Sequence, residues 1–321
     1  MQPPPSQESI EKIISDNYIE YQYQFVEFQS KFLLGLFSKY QSVENGNLVL
    51  YYARQVHQNI LRQKDYNLNF NTSFEKFWDN HNKISPSKKS ISDVARDISL
   101  PKETVRRKIL QLIKKKILSK KKSINLLPSE QYRKNYSLDT VNEINDVCKL
   151  ISYICEKINF SISKEEVTKE IREKFSFYWF HYLGAQLEYL RLCSKQFNDL
   201  ELILIFLQVA HLFSVKAKKN FLSPKDFYDD PSLLKEYIGA SVSASSISEV
   251  TGIPRATCVR KLKTLVSLKK ISQDEISKRY YIISNATSEG LISNKITGKV
   301  VKIFSNFFFI CIRATSVRTL Y

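Results

Sequence analysis

Arginines and lysines on one recurring motif are the side chains with the most chemistry to offer in this chain. Leu100-Pro101-Lys102-Glu103-Thr104-Val105-Arg106-Arg107-Lys108-Ile109 recurs 153 residues later as Ile253-Pro254-Arg255-Ala256-Thr257-Cys258-Val259-Arg260-Lys261-Leu262. A guanidinium donates two parallel hydrogen bonds, which matches a phosphate or the O6/N7 edge of guanine. A hydroxyl near the start of a helix, as Thr104 and Thr257 supply, sits where free N–H groups and the helix dipole favour an anion. The chemistry on offer is recognition of a polyanion.

The charge tally points the same way. The net charge is +17. Pro101 to Lys122 holds ten Lys/Arg against one acid, a net of +9, and Pro254 to Arg279 holds eight against two, a net of +6. General lysine enrichment would spread along the chain, whereas this excess sits on the two motif copies.

Each motif must be carried by a helix. Val105, Ile109, Leu112 and Ile113 form an apolar stripe at helical spacing, and Cys258, Leu262, Leu265 and Val266 repeat it. With the stripe inward, Lys102, Glu103, Arg106, Arg107 and Leu110 face outward, as do Arg255, Ala256, Val259, Arg260 and Lys263 in the second copy. Pro101 and Pro254 are expected at the first helical position, where a missing N–H costs nothing. A shorter helix precedes each, Ile91 to Ile98 and Ser245 to Thr251. Gly252 supplies the positive-φ turn in the second copy, and Ser99 stands in its place in the first.

Two short β runs follow each motif helix. Ile117-Leu118 and Ile124 to Leu127 flank Lys120-Lys121-Lys122; Lys270-Ile271 and Tyr280 to Ile283 flank a turn ending in Lys278-Arg279. The run Ser246 to Thr257, with Arg260-Lys261-Leu262 and Leu265, resembles the bacterial winged helix-turn-helix transcriptional regulators of the MarR and IclR kinds. The first copy is similar at Ile91 to Ala95 and Pro101 to Leu112. The resemblance covers about 40 residues in each copy. It implies double-stranded DNA as the partner and a dimer interface built from the long flanking helices.

On that basis the expected DNA-binding residues are Lys102, Thr104, Arg106, Arg107, Lys120, Lys121 and Lys122. In the second copy they are Arg255, Thr257, Arg260, Lys263, Lys278 and Arg279. Arg107 and Arg260, arginine in both copies, are the candidates for reading base edges. A solvated basic face is the competing reading, strongest for Lys114, Lys115 and Lys116.

The same offset aligns Gln55-Val56 with Gln208-Val209, Phe74 with Phe227, Ser92 with Ser245, and Lys149 to Ser152 with Lys302 to Ser305. The chain therefore reads as a leader (1–15) and two tandem units, 16–168 and 169–321. The helix-turn-helix segments fall at 90–116 and 243–269, and the wings at 117–128 and 270–284. The fold class is mainly α with small β wings, a pseudo-dimer in one chain. Tyr18 to Tyr40 and Ile171 to Cys193 are expected as the first long helix of each unit, Leu48 to Gln63 and Leu200 to Lys216 as the second. Polar connectors follow at Asp65 to Lys89 and Ala217 to Ala240, pinned by Phe74, Phe77, Trp78, Phe227 and Tyr228. Two recognition helices ~34 Å apart would suit an imperfect palindrome, because their outward residues differ.

Other chemistry finds little support. His57, His81, His181 and His211 stand in no HExxH or HxH pattern, and with 7 Gly no phosphate loop is evident. Neither an enzyme nor a cofactor or metal is expected. Cys148, Cys155, Cys193, Cys258 and Cys311 lack CxxC spacing and read as reduced core thiols. No signal peptide is evident, and the apolar run Val300 to Ile312 is shorter than the ~18–20 residues of a bilayer span. It reads as the last packing helix, in a cytoplasmic, nucleoid-associated protein with no membrane contact. Two alternatives stand beside a transcription regulator: a plasmid-type replication initiator with paired winged helices, and a winged-helix scaffold that binds protein.

Overall fold

The computed structural model describes residues 5–84, 88–120, 124–126, 130–197, 199–219, 239–282 and 295–318. Among them the chain is mainly helical, with thirteen helices and two two-stranded antiparallel sheets. In chain order the helices are α1 (Gln7–Asp16), α2 (Tyr18–Tyr40), α3 (Val43–Tyr66), α4 (Phe77–Lys83), α5 (Ile91–Ile98) and α6 (Lys102–Lys114). After the hairpin β1 (Leu118–Lys120) and β2 (Ile124–Leu126) come α7 (Glu130–Lys157), α8 (Lys164–Glu173), α9 (Phe175–Phe197) and α10 (Leu200–Lys219). The chain continues through α11 (Ala244–Thr251), α12 (Arg255–Ser267), β3 (Ile271–Gln273), β4 (Tyr280–Ile282) and α13 (Lys295–Arg318).

Packing divides the chain into two compact units that interleave along the sequence: Met1–Ile13, Glu44–Lys195 and Lys302–Tyr321 in one, Ile14–Val43 and Gln196–Val301 in the other. These differ from the sequential 16–168 and 169–321 of the repeat. Helix α2, from the first repeat, packs in the second compact unit, and nearly all of α9, from the second repeat, packs in the first.

The first unit is built on an aromatic core. His57 of α3 stacks on Phe77 at 4.7 Å and meets the edge of Phe175 at 5.1 Å, while Trp179 packs on Tyr182 at 4.6 Å. The Phe74 N–H donates to the Arg172 carbonyl at 2.9 Å, and Asn80 donates to the Asn71 carbonyl at 2.6 Å. The polar connector thus carries a helix, α4, and its pin Phe77 is buried. In the second unit α2 lies along α10, with the Gln208 amide donating to the Ser30 carbonyl at 3.3 Å, and α10 also packs against α11, α12 and β4. Of the counterpart connector, Ala217 to Lys219 belong to α10, and residues 220–238, with Phe227 and Tyr228, lie outside the described residues.

The motif segments repeat in register. Helices α5 and α11, α6 and α12, and strands β1 and β3 each stand 153 residues apart. Local chemistry explains the match. Ser90 accepts from the Asp93 N–H and Ser243 from the Ser246 N–H, so each short helix starts on a capping serine. Each ends on a left-handed residue, Ser99 (φ 55°) or Gly252 (φ 70°), and a second left-handed pair, Lys116 (φ 55°) and Lys269 (φ 53°), precedes each hairpin.

Three details depart from expectation. Pro101 and Pro254 occupy the N-cap, with ψ 137° and 134°, rather than the first helical position; their carbonyls accept the first helical bonds from Val105 and Cys258 at 3.0 Å. Ile113 and Val266 are only half-buried, so the buried stripe is Val105, Ile109 and Leu112, matched by Cys258, Leu262 and Leu265. The long helix expected over Ile171 to Cys193 is broken at Lys174 (φ −111°, ψ 40°) and continues as α9. Strand β4 starts at Tyr280, where the sequence placed it, three residues beyond the bare 153-residue offset because the second hairpin is longer; Leu127 and Ile283 lie outside the described residues.

The tail forms α13, with Phe304, Phe307, Phe308, Cys311 and Ile312 buried. Among the described residues no single helix is long and apolar enough to cross a membrane. All five cysteines are buried and free.

Candidate nucleic-acid interface

In the first unit, α6 buries Val105, Ile109 and Leu112 and turns Lys102, Glu103, Arg106, Arg107 and Leu110 to solvent. The outward residues are not equivalent. Arg106 donates to Glu103 through both Nε, to Oε2 at 3.0 Å and Oε1 at 3.1 Å, and Nη2, to Oε1 at 2.8 Å. Hydrogen bonding to Arg106 lowers the Glu103 pKa, and the same contact raises that of Arg106. Both stay charged, and their charges cancel. Arg107, next in the chain, is exposed, and its guanidinium makes no hydrogen bond or ion pair among the described residues. Thr104 is half-buried in the first turn. Lys120 is exposed on β1, while Lys121 and Lys122 lie outside the described residues.

In the second unit, α12 buries Cys258, Leu262 and Leu265 and exposes Arg255, Ala256, Arg260 and Lys263; Val259 and Thr257 are half-buried. Arg255 Nε donates to Ser245 Oγ at 3.1 Å, joining α12 to the start of α11. Arg260 and Lys263 carry no side-chain partner among the described residues. Hence Arg107 and Arg260 share position, exposure and the absence of a side-chain hydrogen bond or ion pair among the described residues, though the Arg107 charge still acts on Glu103.

The second hairpin is preformed. Asp274 accepts from the N–H and hydroxyl of Ser277, each at 2.6 Å, and its own N–H donates to the Arg279 carbonyl at 2.8 Å. The Ser277 contacts pull the Asp274 pKa down. Lys278 is exposed at φ 57°; Arg279 is half-buried.

Two further lysines carry signals the site assignment passed over. Lys108 Nζ lies 3.5 Å from Glu44 Oε2 in the first turn of α3. At the matching position, Lys261 Nζ lies 2.5 Å from Asp199 Oδ2 and 3.1 Å from Glu201 Oε2, at the start of α10. Burial opposes the Lys261 charge, but the hydrogen bonds it donates to Asp199 and Glu201 outweigh that and raise its pKa. The recurrence of Lys108 as Lys261 was legible in the sequence; its carboxylate partners, about sixty residues upstream, were not.

Of the four histidines, His57 is fully buried, and desolvation with the nearby His81 pushes its pKa down to about 3. His211 is half-buried. Among the described residues no group of three His, Cys, Asp or Glu side chains is placed to hold a metal ion. No family model, curated protein or solved structure matches the chain significantly.

Proposed function

We propose that this protein is a sequence-specific, double-stranded DNA-binding transcription regulator. In this reading, α5–α6 with β1–β2 and α11–α12 with β3–β4 are two winged helix-turn-helix heads. The observation that carries it is the pair Arg107 and Arg260, both exposed, without a side-chain hydrogen bond or ion pair among the described residues, and following the same buried stripe, on segments that hold +15 of the +17 net charge.

The mechanism follows from side-chain chemistry. Helices α6 and α12 enter the major groove, and Arg107 and Arg260 donate to guanine edges. Lys102, Thr104, Arg255 and Thr257 hold phosphates near the helix N-termini, where orphan N–H groups also point. Lys120, Lys263, Lys278 and Arg279 add backbone contacts, joined by Lys121 and Lys122. Arg106 contributes little while Glu103 neutralises it. Unlike outward residues imply unlike half-sites. The protein would work on bacterial chromosomal DNA in the cytoplasm.

Genome-wide mapping of bound DNA, with Arg107→Ala and Arg260→Ala as controls, tests the proposal. A small set of sites lost in the variants is expected; no enrichment, or enrichment indifferent to both, overturns it. Iterated repeats beside the protein's own gene would shift the role to replication initiation.

A further inference from the structure

Lys108 and Lys261 directly follow Arg107 and Arg260, so about 100° of helix rotation separates each lysine from its arginine. They turn away from solvent. Lys261 is 5 % exposed between two carboxylates, and the Lys108 side chain is 14 % exposed against Glu44. The partners share a chain position. The first compact unit resumes at Glu44, and the second resumes at Gln196, just ahead of Asp199 and Glu201. Glu44 and Glu201 are each the second residue of a long helix, and Asp199 accepts from the Glu201 N–H at 2.9 Å. In both units the repeat lysine grips the helix turn on which the chain re-enters that unit.

We propose that Lys108 and Lys261 are positioning residues that lock α6 to α3 and α12 to α10, thereby fixing how Arg107 and Arg260 meet DNA, without touching DNA themselves. This rests on the DNA-binding reading. To reach a DNA phosphate, Lys261 would have to leave two half-buried carboxylates and Lys108 one, at the cost of uncompensated charge. A lock instead needs the contacts as they stand.

The test is duplex binding by fluorescence anisotropy across a salt series. The proteins are wild type, Lys261→Met, Lys263→Met, the isosteric pair Asp199→Asn/Glu201→Gln, Lys108→Glu, and Lys108→Glu/Glu44→Lys. Each is checked by circular dichroism and thermal melting. If Lys261 positions α12, Lys261→Met weakens binding about tenfold, the size of one lost base contact, and leaves the salt slope unchanged. Lys263→Met, losing a phosphate contact, lowers that slope by about 0.9.

Asp199→Asn/Glu201→Gln gives the sharpest contrast and needs no fold change if Lys261→Met fails to fold. It removes two negative charges, so simple electrostatics predicts tighter binding, whereas the lock predicts weaker binding. The reversed pair Lys108→Glu/Glu44→Lys should recover most of the affinity that Lys108→Glu loses. The positioning role is overturned if Lys261→Met lowers the salt slope as Lys263→Met does. It is equally overturned if the amide variant binds as tightly as wild type, or more tightly. A wild-type protein that binds no duplex instead overturns the DNA reading, and the positioning role with it.

Discussion

The ammonium of Lys261 lies 3.1 Å from the Glu201 carboxylate, and the repeat reproduces this relationship less tightly as Lys108 and Glu44 at 3.5 Å. Removing the Lys261 ammonium leaves carboxylates that are still one-quarter to one-third exposed, 26 % for Glu201 and 34 % for Asp199. The penalty is therefore below that of a fully buried pair. Lys261→Met should cost about 1–3 kcal/mol in urea unfolding, and Lys108→Met under about 1 kcal/mol. Equal effects would contradict the difference in burial.

Glu103 restrains Arg106. Glu103→Gln should tighten duplex binding and steepen the salt slope by up to about one unit, because a free guanidinium becomes available to phosphate. Arg106→Ala alone should change little. Arg107→Ala and Arg260→Ala should each cost about 1–3 kcal/mol of discrimination between preferred and altered sequences. Competition binding with single-base variants of the mapped site measures this.

The buried histidine makes stability fall with acid. Burial holds the folded His57 pKa near 3 against 6.5 for the free side chain, so between those values the unfolded chain binds the extra proton. Stability is complete above pH 6.5 and falls below it, at a slope approaching ~1.4 kcal/mol per pH unit for this group. His81, also lowered by burial, adds to the slope. Urea midpoints between pH 7 and 4.5 should drop for wild type and drop less for His57→Phe. Parallel curves would exclude His57 as the cause.

The left-handed residues make a backbone prediction. Lys116 and Lys269 hold φ 55° and 53° with a side chain attached, so Lys116→Gly and Lys269→Gly should each stabilise by about 0.5–1 kcal/mol. Gly252→Ala, at φ 70°, should destabilise by about 1 kcal/mol. Thermal melting reads both signs.

How much was legible follows from what each signal encodes. Capping serines, the proline before α6 and α12, and the stripes are local, and a gapless offset of 153 residues placed α5, α6 and β1 onto α11, α12 and β3. The interleaving of α2 and α9 was hidden, because an apolar face announces burial without naming what covers it. Tyr21, Phe25, Phe28 and Phe32 read the same whichever unit receives them. The second hairpin departs from the offset because the turn closed by Asp274 and Ser277 lengthens it, yet the β-forming run at Tyr280 still marked its second strand. Arg106 was placed among the DNA ligands by its outward position alone; its i,i+3 spacing from Glu103 already carried the ion pair.

The central claim is tested most directly by duplex binding from 50 to 200 mM salt, comparing wild type with the Arg107→Ala/Arg260→Ala double variant. With ~6–10 phosphates contacted, wild-type affinity should fall roughly 10³–10⁵-fold across that range. The double variant should keep most of the salt dependence and lose the preference for its mapped site. No duplex binding, binding indifferent to salt, or a double variant with undiminished site preference would contradict the account.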